Sequence, residues 1–158
     1  MSQIGSTHTF SVDRPHAEVF DLLADLSAHE QWTDHFMTDW QIEGDPRAVG
    51  AVLRCRVKGM GRAEITVISV TPERIEETGR GGPGMKKRTR GVYELRPLGE
   101  RRTEVTFISE VLEPYTLADR VTAPIARAFL RRVNGRAMER LQARLEAGAR
   151  EPAVTAAG

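Results

Sequence analysis

"GVYELRPLGERRTEVTFISE", residues 91–110, is two runs of alternating side chains joined by a turn. In the second run Val105, Phe107, Ser109 and, just beyond it, Val111 fall on one side, with Glu104, Thr106, Ile108 and Glu110 on the other. Period two with one mostly apolar side describes a strand with one face covered and one face wet. The link Pro97-Leu98-Gly99-Glu100 is short, so the two strands return on each other as antiparallel neighbours.

The same grammar extends back toward the N-terminus. Strands are expected at about 37–44, 50–59, 62–71, 73–79, 86–96 and 102–112, with Gly44-Asp45-Pro46, Gly59-Met60-Gly61, Thr71-Pro72-Glu73 and the glycines of 79–84 between them. In "VLRCRVK", residues 52–58, Leu53, Cys55 and Val57 face one way and Arg54, Arg56 and Lys58 the other. Six strands with short links make an antiparallel meander.

Ahead of the meander, "HTFSVD" (residues 8–13) reads as a short strand. "RPHAEVFDLLADLSAHEQW" (14–32) then carries two helix starts. Pro15 suits the first helical position, where its missing N–H costs nothing, and Val19, Leu23 and Leu26 share a face. Ser27-Ala-His-Glu30 fits a capping box, which predicts a second helix with its own start. After the meander, Thr116 to about Ala147 predicts a helix of roughly 45 Å, with a kink or a fresh start at Pro124. Its expected buried stripe is Val121, Ile125, Phe129, Val133, Met138, Leu141 and Leu145, with Arg127, Arg131, Arg136 and Arg140 mostly facing solvent. The end of the chain, "REPAVTAAG" (150–158), reads as a disordered tail to a single domain over 1–149.

With 158 residues, 40% hydrophobic and 28% charged, the chain has material for one ordinary core. A formal charge of +1, with basic and acidic residues interspersed, is no footprint for nucleic acid. No apolar run approaches the length of a membrane span, and "MSQIGSTHTF" lacks the basic start and apolar core of a signal peptide, so a cytoplasmic protein is expected. Cys55 is the single cysteine, which excludes an internal disulfide and a cysteine-built metal site.

Strand, two short helices, six-stranded meander and long C-terminal helix together resemble the START-like superfamily, also called SRPBCC or Bet v 1-like, and in particular its polyketide cyclase/dehydrase branch. The stretches that carry the resemblance are 14–32, 91–110 and "LADRVTAPIARAFLRRVNGRAMERLQARL" (117–145), and it covers about Thr7 to Glu146. One departure is Arg14, where such proteins commonly have a small capping residue. The resemblance implies an α+β helix-grip fold, in which a curved seven-stranded antiparallel sheet wraps the long helix. It also implies a cavity for a lipid, polyketide or other apolar molecule, with Trp32 near the cavity mouth.

On that footing the expected ligand-binding residues are Trp32, Phe36, Leu53, Cys55, Val57, Val67, Tyr93, Phe107, Ser109 and Phe129. Each also has a plain packing role open to it, as does the aromatic cluster Trp32, Phe36 and Trp40. No cofactor or metal is expected: His29 and His35 lack the spacing of a helical zinc pair, and His8 and His16 read as packing or surface residues. "GRGGPG" (79–84) matches a dinucleotide fingerprint in form, but the residues after it read as strand, so a hairpin loop is expected. The basic residues Lys86, Lys87, Arg88 and Arg90 are expected to pair with glutamates across an exposed sheet face.

Three functions follow as alternatives. A non-catalytic carrier or sequestering protein for an apolar small molecule agrees with the absence of a convergent acid–base set. A polyketide aromatase/cyclase needs donors such as Tyr93, Ser109 or Thr116 and a base, yet the sequence singles out no inward Arg, His or Glu. A regulatory protein docking a partner on its wet sheet face is the third.

Overall fold

The computed structural model describes the backbone of residues 3–150 and the side chains of 3–148. The elements are β1 (Ile4–Val12), α1 (His16–Leu23), α2 (Glu30–Thr33), β2 (Met37–Glu43), β3 (Val52–Val57), β4 (Gly61–Thr71), β5 (Arg74–Gly81), β6 (Lys87–Gly99), β7 (Arg102–Val111) and α3 (Leu117–Arg150). They form an α+β helix-grip fold with a seven-stranded antiparallel sheet, in the order β1-β7-β6-β5-β4-β3-β2. The first strand closes on the last, from Ile4 opposite Val111 to Val12 opposite Thr103. Register shifts at Thr38/Gln41, Val67/Ser69 and Pro97/Gly99 mark bulges, which bend strands and deepen the sheet's curl. Of the expected tail, residues 151–158 lie outside the described residues.

The convex face carries the charge. Arg54 pairs with Glu43 and Glu64, Arg80 with Glu64 at 2.9 Å, and Arg90 with Glu76 at 2.7 Å and Glu110 at 3.1 Å. These are neighbours across strands, as expected for Arg90, whereas Lys87 pairs instead with Asp119 of α3 at 3.1 Å; surface pairs of this kind contribute little stability each. The 79–84 segment joins β5 to β6, two antiparallel strands, through a 3-10 turn at Pro83–Met85. It leads into strand β6 and not into a helix, so the strand–turn–helix order of a dinucleotide fingerprint is not formed there.

Three local expectations change. The second helical segment is capped by Asp25, whose side chain accepts from Ser27 N at 3.0 Å and from Ser27 Oγ. It opens as a 3-10 turn, Leu26–His29, before α2. The start therefore lies ahead of the proposed Ser27 box, because Asp25 presents the first acceptor to the free N–H groups. Asp25→Ala is expected to cost about 1 kcal/mol in urea unfolding, and Ser27→Ala less. At α1, Pro15 sits at the cap position and no side chain caps the helix. Arg14 acts instead as a clamp, donating to Glu18 Oε2 at 2.6 Å and to Leu145 O, near the far end of α3, at 3.1 Å.

The third change is in α3, which runs unbroken through Pro124 from a box in which Thr116 and Asp119 cap each other. Its buried residues are Ala123, Val133, Asn134, Ala137, Met138, Leu141 and Leu145. Val121 and Ile125 are each 73% exposed, so the first half of the expected stripe faces away from the sheet. Stepping back from Leu141 by 3.6 residues leads to 137, 134, 130, 127 and 123, whereas Val121 and Ile125 fall on the opposite side. Apolar identity in that half pointed outward; continuity of period pointed to Ala123.

A cavity with a buried acid between sheet and helix

Inside the sheet, alternation decides what faces α3. β3 turns in Leu53 and Cys55, β4 Ala63 and Val67, β6 Tyr93 and Leu95, and β7 Val105 and Phe107, all buried. Toward the open end of the sheet this packing stops short and leaves a cavity of about 130 Å³. Its walls include Phe36, Leu53, Val57, Tyr93, Phe107 and Ser109 of the expected residues, joined by Trp40, Met60 and Ile65. The helix side comes from Leu130, Asn134, Ala137 and Met138.

Trp32, Cys55, Val67 and Phe129 are not among the lining residues. Trp32 is fully buried beneath the cavity floor residues His29 and Tyr93, with its indole N–H donating to Tyr93 Oη at 3.4 Å. Cys55 is buried, and burial pushes its thiol up to about 11, with the charge of Glu77 adding to the shift. A thiol held protonated is a poor nucleophile. Phe129 is only half-buried and lies near Gly59, consistent with the rotated stripe of α3.

The polar content of the cavity centres on Glu77, a residue outside the expected set. Glu77 on β5 shares a face with Ile75 and Gly79, and it lines the cavity. Opposite it stands Gly91, where a Cβ would come within 3.0 Å of Glu77 Oε1, so the missing side chain makes room for the carboxyl. The ladder continues from Gly91 to Ser109 and on to Ser6, whose Oγ accepts from Asn134 Nδ2 of α3 at 3.0 Å. Glu77 Oε2 is sealed from solvent and has no hydrogen-bond partner. Burial raises the Glu77 carboxyl from 4.5 to about 7. An inward glutamate therefore exists, contrary to the expectation from sequence.

His29 also lines the cavity, with its ring 5.4 Å from that of Tyr93. Its Nε2–H donates to Leu23 O at 2.8 Å, which fixes the neutral tautomer, and burial pushes it down to about 4. Burial and the nearby Glu77 charge raise the Tyr93 hydroxyl, so it stays a neutral donor. Its ring stacks on Phe107 at 4.5 Å. His35 donates from Nε2 to Val133 O at 3.0 Å and accepts from Arg140 at 3.1 Å, so this pair ties α2's exit to α3. Arg140, expected in solvent, also pairs with Asp34. Among the described residues no group of His, Cys, Asp and Glu side chains is arranged to hold a metal.

The family described as Polyketide cyclase / dehydrase and lipid transport matches residues 3–146. The chain belongs to this family. Its fold is shared with a protein from Nitrosospira multiformis, at 18% identity and TM-score 0.67 over 92% of this chain and 99% of that one. A START superfamily protein from Mycobacterium smegmatis matches at 16% identity and TM-score 0.64, over 90% and 97% of the two chains. Norcoclaurine synthase from Thalictrum flavum, solved with dopamine and hydroxybenzaldehyde, matches at 13% identity and TM-score 0.66, over 90% and 88%. Comparison with curated protein sequences gives no significant match. A polyketide cyclase/dehydrase and lipid transport family with a START-like fold is a family of ligand-binding domains. No helix among the described residues is long and apolar enough to cross a membrane.

Proposed function

We propose that the protein binds a small, mostly apolar molecule of about single-ring size in the cavity under α3, as a carrier or sequestering protein. The observation that carries this is the cavity itself, about 130 Å³ walled mainly by carbon from Phe36, Trp40, Leu53, Val57, Phe107 and Met138. A dry engineered cavity of about 150 Å³ accepts benzene, so this one suits a ring with a short arm better than a long acyl chain. The norcoclaurine synthase neighbour was solved with two single-ring molecules, which agrees with that size.

A ring-sized hydrocarbon such as toluene tests the proposal by NMR titration. The wild type is expected to bind it, and Ser109→Phe, which fills the cavity, is expected to lose binding while melting within a few degrees of wild type. A packed interior would behave in the opposite way. Overfilling would then cost roughly 1–3 kcal/mol, with no probe binding to lose.

Glu77 favours a second reading, that of an enzyme. A carboxyl with its pKa near neutrality beside a Tyr93 hydroxyl has the two parts that α-proton abstraction from a ketone requires, a base and a carbonyl-polarising donor. Turnover of a model poly-β-ketone that disappears in Glu77→Gln would establish the enzyme over the carrier.

A further inference from the structure

We propose that the ligand is an organic ammonium ion, a ring-sized amine whose N–H groups meet the unpartnered carboxyl of Glu77. This rests on the cavity being a ligand site and adds the chemistry of the ligand to it. Among the described residues Glu77 takes part in no ion pair, and its Oε2 is sealed without a donor. A buried acceptor in that state calls for a partner brought from outside.

Among the described residues no cation is paired with it. From β3 the titratable neighbour is Cys55, from β6 Tyr93, and from the turn before α2 His29, all held neutral. β4 presents Ala63, Ile65 and Val67, β7 presents Phe107 and Ser109, and α3 presents Leu130, Asn134 and Met138. Two arginines, Arg80 and Arg90, also contribute to the cavity lining, but their guanidinium groups are paired with Glu64, Glu76 and Glu110.

The cavity that the acid lines also holds four aromatic rings. Phe36, Trp40, Tyr93 and Phe107 all line the cavity, and ring faces attract cations while repelling anions. An ammonium group carries three N–H donors. One serves the Glu77 carboxyl, and Tyr93 and Ser109, which line the same cavity, carry hydroxyl oxygens for the others. A carboxylate ligand of the same size would meet Glu77 as a like charge.

The experiment compares benzylamine with toluene by NMR or calorimetric titration of the full chain and of Glu77→Gln. Benzylamine needs Glu77 ionised, which below neutrality requires removing a proton. Its affinity is therefore expected to rise about tenfold per pH unit from about pH 5 to 7 and then level off, whereas toluene affinity stays flat. Glu77→Gln is expected to keep toluene and lose at least tenfold in benzylamine affinity at pH 8. If toluene binds but benzylamine binding is indifferent to pH and to Glu77→Gln, the ammonium proposal is overturned and the cavity stands. Tighter binding of benzoate than of benzylamine overturns it too. If neither toluene nor benzylamine binds, both the proposal and the ligand site beneath it fall.

Discussion

Glu77→Gln is expected to stabilise the protein by about 3 kcal/mol at pH 8 and to change it little at pH 4. The carboxyl titrates near 4.5 in the unfolded chain and near 7 in the fold, because burial penalises the charged form. A raised carboxyl pKa means the folded state holds its proton longer. Stability is therefore full below about 4.5, falls as pH rises to about 7, and stays at the lower level above. A shift of this size corresponds to about 3 kcal/mol. At pH 4 the neutral acid and the amide are nearly isosteric and equally short of partners, so the substitution there exchanges like for like.

Wild-type protein would hide this effect, because His29 works in the opposite sense. Its pKa drops from 6.5 to about 4 on burial, so its contribution is present above 6.5 and is lost as pH falls toward 4. Between about 4.5 and 6.5 the two slopes oppose each other with similar size. The wild-type urea midpoint should be nearly flat across that window, and the Glu77→Gln midpoint should climb through it. A wild-type midpoint that climbs as steeply as the variant's would mean that Glu77 is ionised and partnered in the native state.

The route by which the sequence led to the fold explains where it fell short on the site. Period two is a strong signal when one face is uniformly apolar, so Leu53, Cys55, Val105 and Phe107 were legible as inward residues, and the meander with them. Glu77 obeys the same period, two residues after Ile75, but its charge breaks the apolar pattern that marks the inner face. The signal that could have found it was the phase of the strand rather than the polarity of the residue. Gly91, directly opposite, was a second hint, since a glycine inside a strand signals a close approach. In α3 the failure ran the other way. Val121 and Ile125 are apolar and exposed, while Ala123 and Asn134, small or polar, are buried. Which residues line the cavity and which lie beneath it depends on how side chains interleave, and periodicity carries no information on depth. Trp32 shows this most clearly.

Trp32→Ala is expected to cost about 3–5 kcal/mol, the largest loss of any single truncation considered for this protein. The indole is completely buried within the larger core cluster, among residues that include Val19, Leu23, Tyr93 and Leu141. One short helix presents it: Asp25 caps the 3-10 turn, α2 follows directly, and Trp32 points from α2 toward the sheet. Removing the ring opens a void where α1, α2, α3 and β6 meet, and four elements anchored separately cannot close it together. The truncation also removes the N–H that the Tyr93 hydroxyl accepts, loosening a ring that lines the cavity. Trp32→Phe separates the two effects, since it keeps most of the buried area and loses the hydrogen bond. Its cost should be nearer 1 kcal/mol plus the smaller ring's share of packing. Urea unfolding of the two variants checks the order. A Trp32→Ala loss below about 1 kcal/mol would show that the indole is not the floor on which the cavity is built.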